Sequence, residues 1–342
     1  MPVERILRFI ADPATEPFDD LVRAAFAFQL ERLEPLRALA ERRGVSAQSP
    51  TGWRQVPLVP ATAFASLELA TAPAVEVFRS SGTTSGPRSV HHHPYPELYR
   101  AVIDATFPDA LFEGPIRPAM LSLVPDREQA PDSSLSFMID HVLERWGDDT
   151  AVTAAGPRGV SAAQVRGFLA ARQRDRRPVL VLATSFALVH MLEGLERLGL
   201  RFRLPPGSRL FETGGTKGKS REVERKELLT SLAERLDLGA AQVVREYGMT
   251  ELTSHFYAAE EGVFRPPPWV RFHVLDPATL EELPAGETGL LAIFDLANVG
   301  SALHVLTEDL AVTDGDGFRL RGRAAGAQLR GCSLAAEELA GA

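Results

Sequence analysis

A chain of 342 residues, 45% hydrophobic and 24% charged, has the composition of a globular protein with a sizeable core. Its formal net charge of -8 disfavours nonspecific binding to nucleic acid or to an anionic membrane, because both need a basic surface. The single cysteine excludes an internal disulfide and a cage of cysteines around zinc. No apolar run approaches the ~18 residues that span a bilayer, and the first ten residues carry charges. We therefore expect a soluble, cytoplasmic protein without a membrane span.

The first part of the chain alternates between helical and strand patterns. Apolar residues recur at helical spacing from 17 to 43, with an interruption near Pro35. Residues 75–78 are a short strand candidate, and residues 119–124 and 179–183 are short, continuous apolar runs typical of buried strands. Further helical patterns lie at 134–146 and 161–172. Alternation of buried strands with helices predicts a mostly parallel α/β sheet.

The pattern changes after the three prolines at 266–268. Shorter strand patterns follow, separated by turn sequences, at 270–275, 289–295 and 317–320. We predict three parts, which are an α/β core over 1–265, a β-rich subdomain of the same domain over 266–323, and a short tail over 324–342 that carries Cys332.

A Ser-Ser-Gly-Thr-Thr-Ser-Gly-Pro-Arg segment at 80–88 directly follows the first strand candidate. Glycine lets the backbone fold close to an anion, amides and hydroxyls donate to phosphate oxygens, and Arg88 adds a positive charge. The same composition also suits a surface turn. The segment matches neither the nucleotide-binding loop that ends in Gly-Lys-Ser/Thr nor the dinucleotide fingerprint.

Two further segments carry groups that suit a nucleotide. Residues 211–219 form a second glycine loop with two lysines, and residues 246–251 bring Tyr247, Thr250 and Glu251 close together in sequence. A tyrosine ring can cover a nucleobase, and a carboxylate can ligate Mg²⁺. Each segment taken singly is modest evidence for a nucleotide site.

In this order and spacing, the three segments resemble the phosphate loop, the adenine loop and the Tyr-Gly-x-Thr-Glu motif of the adenylate-forming superfamily, which includes acyl-CoA synthetases. Residues 306–310 resemble its aspartate segment, whose acid binds the ribose hydroxyls, and residues 321–323 match its late Gly-Arg turn. The resemblance implies an α/β fold, namely the large N-terminal domain of these enzymes with layered sheets and a small β-rich subdomain. It also implies that their mobile C-terminal domain is absent or reduced to a short tail.

Within that superfamily the chain resembles the acyl-protein synthetase (LuxE-like, long-chain-fatty-acid–protein ligase) family. The closer resemblance rests on residues 212–217 and 247–252 and on Leu-Arg-Gly-Cys-Ser-Leu at 329–334. Members activate a fatty acid with ATP, hold the acyl group as a thioester on a cysteine near the C-terminus, and pass it to a reductase partner. Cys332 stands at the position of that cysteine, and a neighbouring cation, Arg330, would favour its thiolate.

The resemblance implies ATP and Mg²⁺ as cofactors and assigns roles residue by residue. Glu251 would hold Mg²⁺ and approach the α-phosphate with Thr250, while Asp309 would bind the ribose with Arg323 nearby. From charge alone, Lys217 is the candidate for neutralising the departing pyrophosphate, together with Lys219. The predicted catalytic residues are thus Cys332, Lys217 and Glu251. The other predicted contacts to ATP are Ser80, Ser81, Gly82, Thr83, Thr84 and Arg88 at the phosphates, and Gly214, Gly215, Tyr247 and Gly248 at adenine.

Two features depart from the superfamily pattern. Arg88, after an extra Ser85, stands where the phosphate loop usually ends in lysine, although a guanidinium fork also suits phosphate. Only ten residues follow Cys332, so the domain that brings a catalytic lysine in acyl-CoA synthetases is missing. This disfavours efficient ligation to CoA and suits a short tail with its own thiol.

Other interpretations stay open. An adenylate-forming ligase that acylates CoA, a carrier protein or an amine directly would leave Cys332 as a small hydrophobic residue. A non-catalytic subunit would keep the adenylate pocket as a scaffold. Residues 91–93, three consecutive histidines, are interpreted as loop residues beside the phosphate site, where His92 or His93 could contact phosphate. His190 is interpreted as a core histidine, with the lining of the acyl pocket as the alternative.

Overall fold

The computed structural model describes residues 1–47, 52–81, 88–112, 114, 117–157, 159–214, 225–259, 261–324, 335, 338 and 339. The α-helices are α1 (Pro2–Ala11), α2 (Phe18–Arg32), α3 (Glu34–Arg42), α4 (Pro96–Leu111), α5 (Ser134–Trp146), α6 (Ala162–Asp175), α7 (Ser185–Arg197) and α8 (Arg225–Leu236). The β-strands are β1 (Val59–Pro60), β2 (Glu76–Arg79), β3 (Val90–His93), β4 (Ala119–Ser122), β5 (Val152–Thr153), β6 (Ala155–Gly156), β7 (Gly159–Val160), β8 (Val179–Thr184), β9 (Arg209–Thr213), β10 (Val243–Tyr247), β11 (Phe256–Ala258), β12 (Val270–Leu275), β13 (Thr288–Asp295), β14 (His304–Asp314) and β15 (Gly317–Arg323).

Two compact units make up the chain. The first unit comprises Met1–Ala105, Met249–Phe256 and Val263–Ala342, and the second unit comprises Thr106–Gly248 and Tyr257–Gly262. The predicted partition into a core, a β-rich subdomain and a tail stays a prediction. Among the residues described above, no helix is both long enough and apolar enough to cross a membrane.

The second unit is built on a six-stranded sheet with the strand order β11-β10-β9-β8-β4-β5, in which the strands from β10 to β5 run parallel to one another. Strand β8 pairs in parallel with β4 on one side and with β9 on the other, and β9 pairs in parallel with β10. Strand β4 is buried along its whole length, and β8 is buried up to Thr184, as their continuous apolar runs predict. Helices α6, α7 and α8 bury Val165, Leu188 and Leu232 in the same core cluster as these strands. The predicted α/β class is therefore confirmed.

The first unit contains a mixed sheet in the order β1-β14-β13-β12, with β15 paired to β14. Its long strands are antiparallel, and only the short β1 runs parallel to β14. Strands β12, β13 and β15 cover the three strand patterns predicted after residue 266. Strand β14, which carries Asp309, completes this sheet.

The N-terminal helices α2 and α3 follow the predicted helical spacing. Pro35 lies in the first turn of α3, where no intrahelical amide donor is needed, and this explains the predicted interruption. In α2 the buried side-chain amide of Gln29 donates to the carbonyl oxygens of Asn298 (3.3 Å) and Ser301 (2.6 Å). Helix α2 thereby stabilises the turn that follows β13.

Candidate active site

The hairpin of β2 and β3 frames the predicted phosphate loop. The amide of Ser80 donates to the carbonyl oxygen of Ser89 over 3.0 Å, and the amide of Ser89 donates to the Ser80 hydroxyl over 3.0 Å. Arg88 Nε donates to the Ser80 carbonyl oxygen over 2.5 Å. The base of the loop is therefore closed, with Ser81 and Arg88 exposed to solvent beside it. Four of the residues predicted to contact ATP lie outside the described residues. Gly82, Thr83 and Thr84 belong to this loop, and Gly215 belongs to the second glycine loop.

The histidines at 91–93 belong to strand β3, so their interpretation as loop residues is wrong. Alternation along the strand sends His91 and His93 to the buried side. His91 Nδ1 lies 2.7 Å from the carbonyl oxygen of Thr250, and it must donate because a carbonyl only accepts. Burial lowers the pKa of His91 to about 4, so the ring is neutral at pH 7. His93 Nε2 lies 3.1 Å from the hydroxyl of Thr253.

Glu251 lies at the centre of a polar cluster in the first unit. Its side chain is buried, with 7% of the residue exposed, and burial raises the pKa of its carboxyl group. The Ser89 hydroxyl donates to this carboxyl and lowers its pKa, as does the charge of Arg323, whereas the charge of Asp309 raises it. The fold thus gathers residues from the hairpin, the Tyr-Gly-x-Thr-Glu motif and strands β14 and β15 around one carboxyl group.

Asp309 and Arg323 lie opposite each other on β14 and β15. Arg323 Nε is 3.5 Å from the Asp309 carboxylate, and Arg323 Nη2 donates to Glu308 Oε2 over 2.8 Å. The side chain of Asp309 keeps 17% of its surface exposed. The Arg323 guanidinium is therefore shared between Asp309 and Glu308, and the Asp309 carboxylate stays partly accessible to solvent.

Asn298 and Asp295 hold the backbone around Glu251, and the sequence analysis assigns them no role. Asn298 Nδ2 donates to the Glu251 carbonyl oxygen over 2.9 Å, and its Oδ1 accepts from the Thr253 hydroxyl over 2.9 Å. The Asp295 carboxylate accepts from the amide and from the hydroxyl of Ser254, each over 2.8 Å. The sequence Asp-Leu-Ala-Asn directly after an apolar run is a helix-capping signal that points to this turn.

In the second unit, polar side chains gather at the carboxyl ends of β8, β9 and β10, the edge where open α/β sheets bind ligands. The buried Glu212 accepts from Arg225 Nη1 over 3.0 Å and lies 2.9 Å from the Ser185 hydroxyl. That hydroxyl is also 2.5 Å from the carbonyl oxygen of Gly214. Gly214 has a φ of 73°, a left-handed conformation that favours glycine.

Tyr247 ends β10 at the same edge and is 8% exposed. The residue before it, Glu246, is buried and accepts a hydrogen bond from the Thr213 hydroxyl. Gly248 follows Tyr247 directly. The residues predicted to frame adenine thus lie where two neighbouring strands end. Lys217 and Cys332 lie outside the described residues.

His190, predicted as a core histidine, is exposed on α7 beside Glu193, so that interpretation is wrong.

The charged groups around Glu251 suit a magnesium ion that arrives with a phosphate substrate. Mg²⁺ is usually held by one or two carboxylates together with phosphate oxygens, and Glu251 and Asp309 supply two carboxylates in one cluster. Within the described ranges, no three or more His, Cys, Asp or Glu side chains are grouped to hold a metal ion by themselves. Glu251 and Asp309 therefore fit a cation that is also held by phosphate oxygens.

Comparison with known families gives one match over half of the chain. The family described as acyl-protein synthetase, LuxE, matches residues 167–340. This range includes Glu212, Tyr247, Glu251, Asp309 and Cys332. The match therefore covers most of the segments on which the resemblance rests.

Two curated relatives carry the name long-chain-fatty-acid–luciferin-component ligase. The protein from Vibrio harveyi is 31% identical over 103 residues, which cover 29% of this chain and 27% of that protein. The protein from Aliivibrio fischeri is 22% identical over 303 residues, which cover 86% of this chain and 78% of that protein.

A solved structure of 2-hydroxyisobutyryl-CoA ligase, in an open conformation with an acyl-AMP and CoA, has a similar fold. Its TM-score is 0.62 at 16% identity, over 89% of this chain and 69% of that chain. At this identity the likeness shows the fold alone. With the family match, it confirms the predicted resemblance: this chain belongs to the acyl-protein synthetase, LuxE, family, a family of ligase enzymes, and has the adenylate-forming fold.

Proposed function

We propose that this chain activates a fatty acid with ATP to an acyl-adenylate, then holds the acyl group as a thioester on Cys332 for delivery to a reductase partner. The observation that carries the proposal is the family match, which runs through both the Tyr-Gly-x-Thr-Glu motif and the only cysteine. The names of the curated relatives support a long-chain fatty acid as the class of substrate.

In the first step, a carboxylate oxygen of the fatty acid attacks the α-phosphorus of ATP, and the bond from that phosphorus to pyrophosphate breaks. Residues 80–84 and Arg88 would bind the β- and γ-phosphates, and Lys217 would neutralise the departing pyrophosphate. Asp309 would accept from the ribose hydroxyls, with Arg323 beside it. Gly214, Gly215, Tyr247 and Gly248 would frame adenine, so that the chain's main contribution is to align the two substrates.

Glu251 would hold Mg²⁺, which when bound neutralises charge on the phosphate oxygens. Burial raises the pKa of Glu251, and a carboxyl group ligates a cation only in its deprotonated form. Thr250, whose carbonyl oxygen is fixed by His91, would approach the α-phosphate.

In the second step, the thiolate of Cys332 attacks the acyl carbon, the bond from that carbon to the AMP oxygen breaks, and AMP leaves with the electron pair. The thiol proton is lost to water before the attack. Ala324 and Ala335, which lie on either side of Cys332 in sequence, support this step. Both pack in one core cluster with Leu306 and Leu310 of the strand that carries Asp309.

The proposal is tested by the intact mass of the protein after incubation with Mg-ATP and a panel of carboxylic acids. We expect an adduct that depends on the acid, is removed by hydroxylamine, and is absent from Cys332→Ser. The variant should still form AMP or exchange pyrophosphate into ATP, because adenylation does not need the thiol.

Two results would contradict the proposal and direct the search elsewhere. AMP formation without a wild-type adduct would indicate direct transfer to CoA, a carrier protein or an amine. Binding of ATP without pyrophosphate exchange for any acid would indicate a non-catalytic scaffold. A reductase partner is tested by transfer of the label from the acylated protein to a cysteine of that partner.

A further inference from the structure

The described end of the chain is attached to helix α3 and the residue after it. Arg43 makes two hydrogen bonds to the Glu338 carboxylate, from Nε over 2.8 Å and from Nη2 over 2.6 Å. Arg42 Nη2 donates to the backbone carbonyl oxygen of the same residue. Two consecutive arginines thus bind both the side chain and the backbone of Glu338.

Apolar contacts attach the same segment to the mixed sheet. Ala335 and Leu339 are each 3% exposed. Ala335 packs in the cluster that contains Leu306 and Leu310, which stand on either side of Asp309 in β14. The described residues after Cys332, namely Ala335, Glu338 and Leu339, are therefore held by two independent sets of contacts within the first unit.

The two sets of contacts contribute differently. Burial of Ala335 and Leu339 supplies attraction without direction, since the hydrophobic effect depends on area. A bidentate arginine–carboxylate pair fixes the orientation of both partners but contributes little net stability at a surface, and these side chains are 32% and 37% exposed. The pair of Arg43 and Glu338 is therefore better suited to fixing the position of the C-terminal segment than to stabilising the fold.

We propose that Arg43 and Glu338 form a clamp that positions the C-terminal segment for acyl transfer to Cys332. This inference rests on the proposed function. Ala335 is three residues from Cys332, and an extended chain spans at most ~3.4 Å per residue, which limits their separation to about 10 Å. Both clamp residues act through the segment and are positioning residues, so they serve the second step and not the first.

The test compares the two steps in Arg43→Ala, Glu338→Ala and the charge swap Arg43→Glu with Glu338→Arg. Single-turnover acylation is measured by intact mass, and adenylation by pyrophosphate exchange. We expect each alanine variant to slow acylation about tenfold or more, because small misplacement of a nucleophile has large effects on rate. Pyrophosphate exchange should stay within about twofold of the wild type, and the charge swap should recover most of the acylation rate.

Arg54 and Glu282 provide a matched control. They form another bidentate and partly exposed pair in the first unit, with distances of 2.7 and 2.8 Å, and these two hydrogen bonds join residues outside the C-terminal segment. Arg54→Ala should leave both steps unchanged. Wild-type acylation rates in the Arg43 and Glu338 variants, or equal losses in both steps, would overturn the clamp while leaving the proposed function standing. Absence of any wild-type acyl-enzyme would instead overturn the proposed function, and the clamp with it.

Discussion

Replacing Glu251 with glutamine should abolish most adenylation and leave the fold intact. The substitution keeps the size of the side chain and removes the negative charge that would ligate Mg²⁺ near the α-phosphate. Loss of one such electrostatic contact typically lowers a rate by about 10²- to 10³-fold. We therefore expect pyrophosphate exchange to fall by about that factor, measured at saturating acid and varied Mg-ATP.

Although Glu251→Gln should impair adenylation, it should leave the free energy of unfolding unchanged or increase it. Burial raises the pKa of Glu251, so the folded state holds its proton more tightly than the unfolded state does. Stability from this group is present below the unfolded pKa and is lost as the pH rises through the higher folded pKa. At pH 7 the glutamine variant should therefore unfold at the same or a higher urea concentration than the wild type.

Glu308→Gln is a suitable control, because Glu308 lies next to Asp309 on β14 and accepts from Arg323. Its removal should lower pyrophosphate exchange by no more than a few-fold, since it is not assigned to the cation. Retention of wild-type exchange in Glu251→Gln would contradict the assignment of this residue to Mg²⁺.

Among the substitutions considered for this protein, Asp295→Ala should cause the largest decrease in the free energy of unfolding. Its buried carboxylate accepts from the amide and hydroxyl of Ser254 and from the amide of Ala297, over 2.8 to 2.9 Å. A buried donor without an acceptor costs about 1–3 kcal/mol, so three such donors together predict a loss of about 3 kcal/mol or more in the free energy of unfolding. Urea unfolding at pH 7 measures this loss.

The same residue predicts a pH dependence of stability. Burial raises the pKa of Asp295 to about 6, so its contribution is fully present below the unfolded pKa near 4 and declines as the pH rises through 6. Asp295→Asn should remove this decline and should destabilise less than Asp295→Ala, since it keeps one acceptor oxygen. An unchanged slope between pH 4 and 6 in Asp295→Asn would count against this account.

Asp276→Ala is the matched control for Asp295. Asp276 is a partly exposed aspartate of the same unit that accepts from the amides of Ala278 and Thr279 over 2.8 and 2.9 Å. Water can replace these hydrogen bonds, so its removal should barely change the urea midpoint. A loss as large as that of Asp295→Ala would show that burial is not the cause.

Local periodicity explains which elements were predictable. The helical pattern at 134–146 corresponds to α5, and the apolar runs at 119–124 and 179–183 correspond to the buried strands β4 and β8. Such patterns arise because burial of one face or of a whole strand leaves a direct signal in neighbouring residues. The prediction of a loop at 91–93 is wrong because these histidines pair with β2 on the other side of the glycine loop. Such strand pairing is not a local property of the sequence.

The sequence by itself determined the α/β class, the order of the predicted nucleotide-binding segments and the family, because each depends on residue types at fixed spacing along the chain. Only the tertiary structure decided which side chains support Glu251. Asn298 reaches the Glu251 backbone, and Arg43 reaches Glu338, across separations of 47 and 295 residues. Contacts at such separations depend on how sheets and helices pack, and packing leaves no regular spacing in the sequence for a pattern to detect.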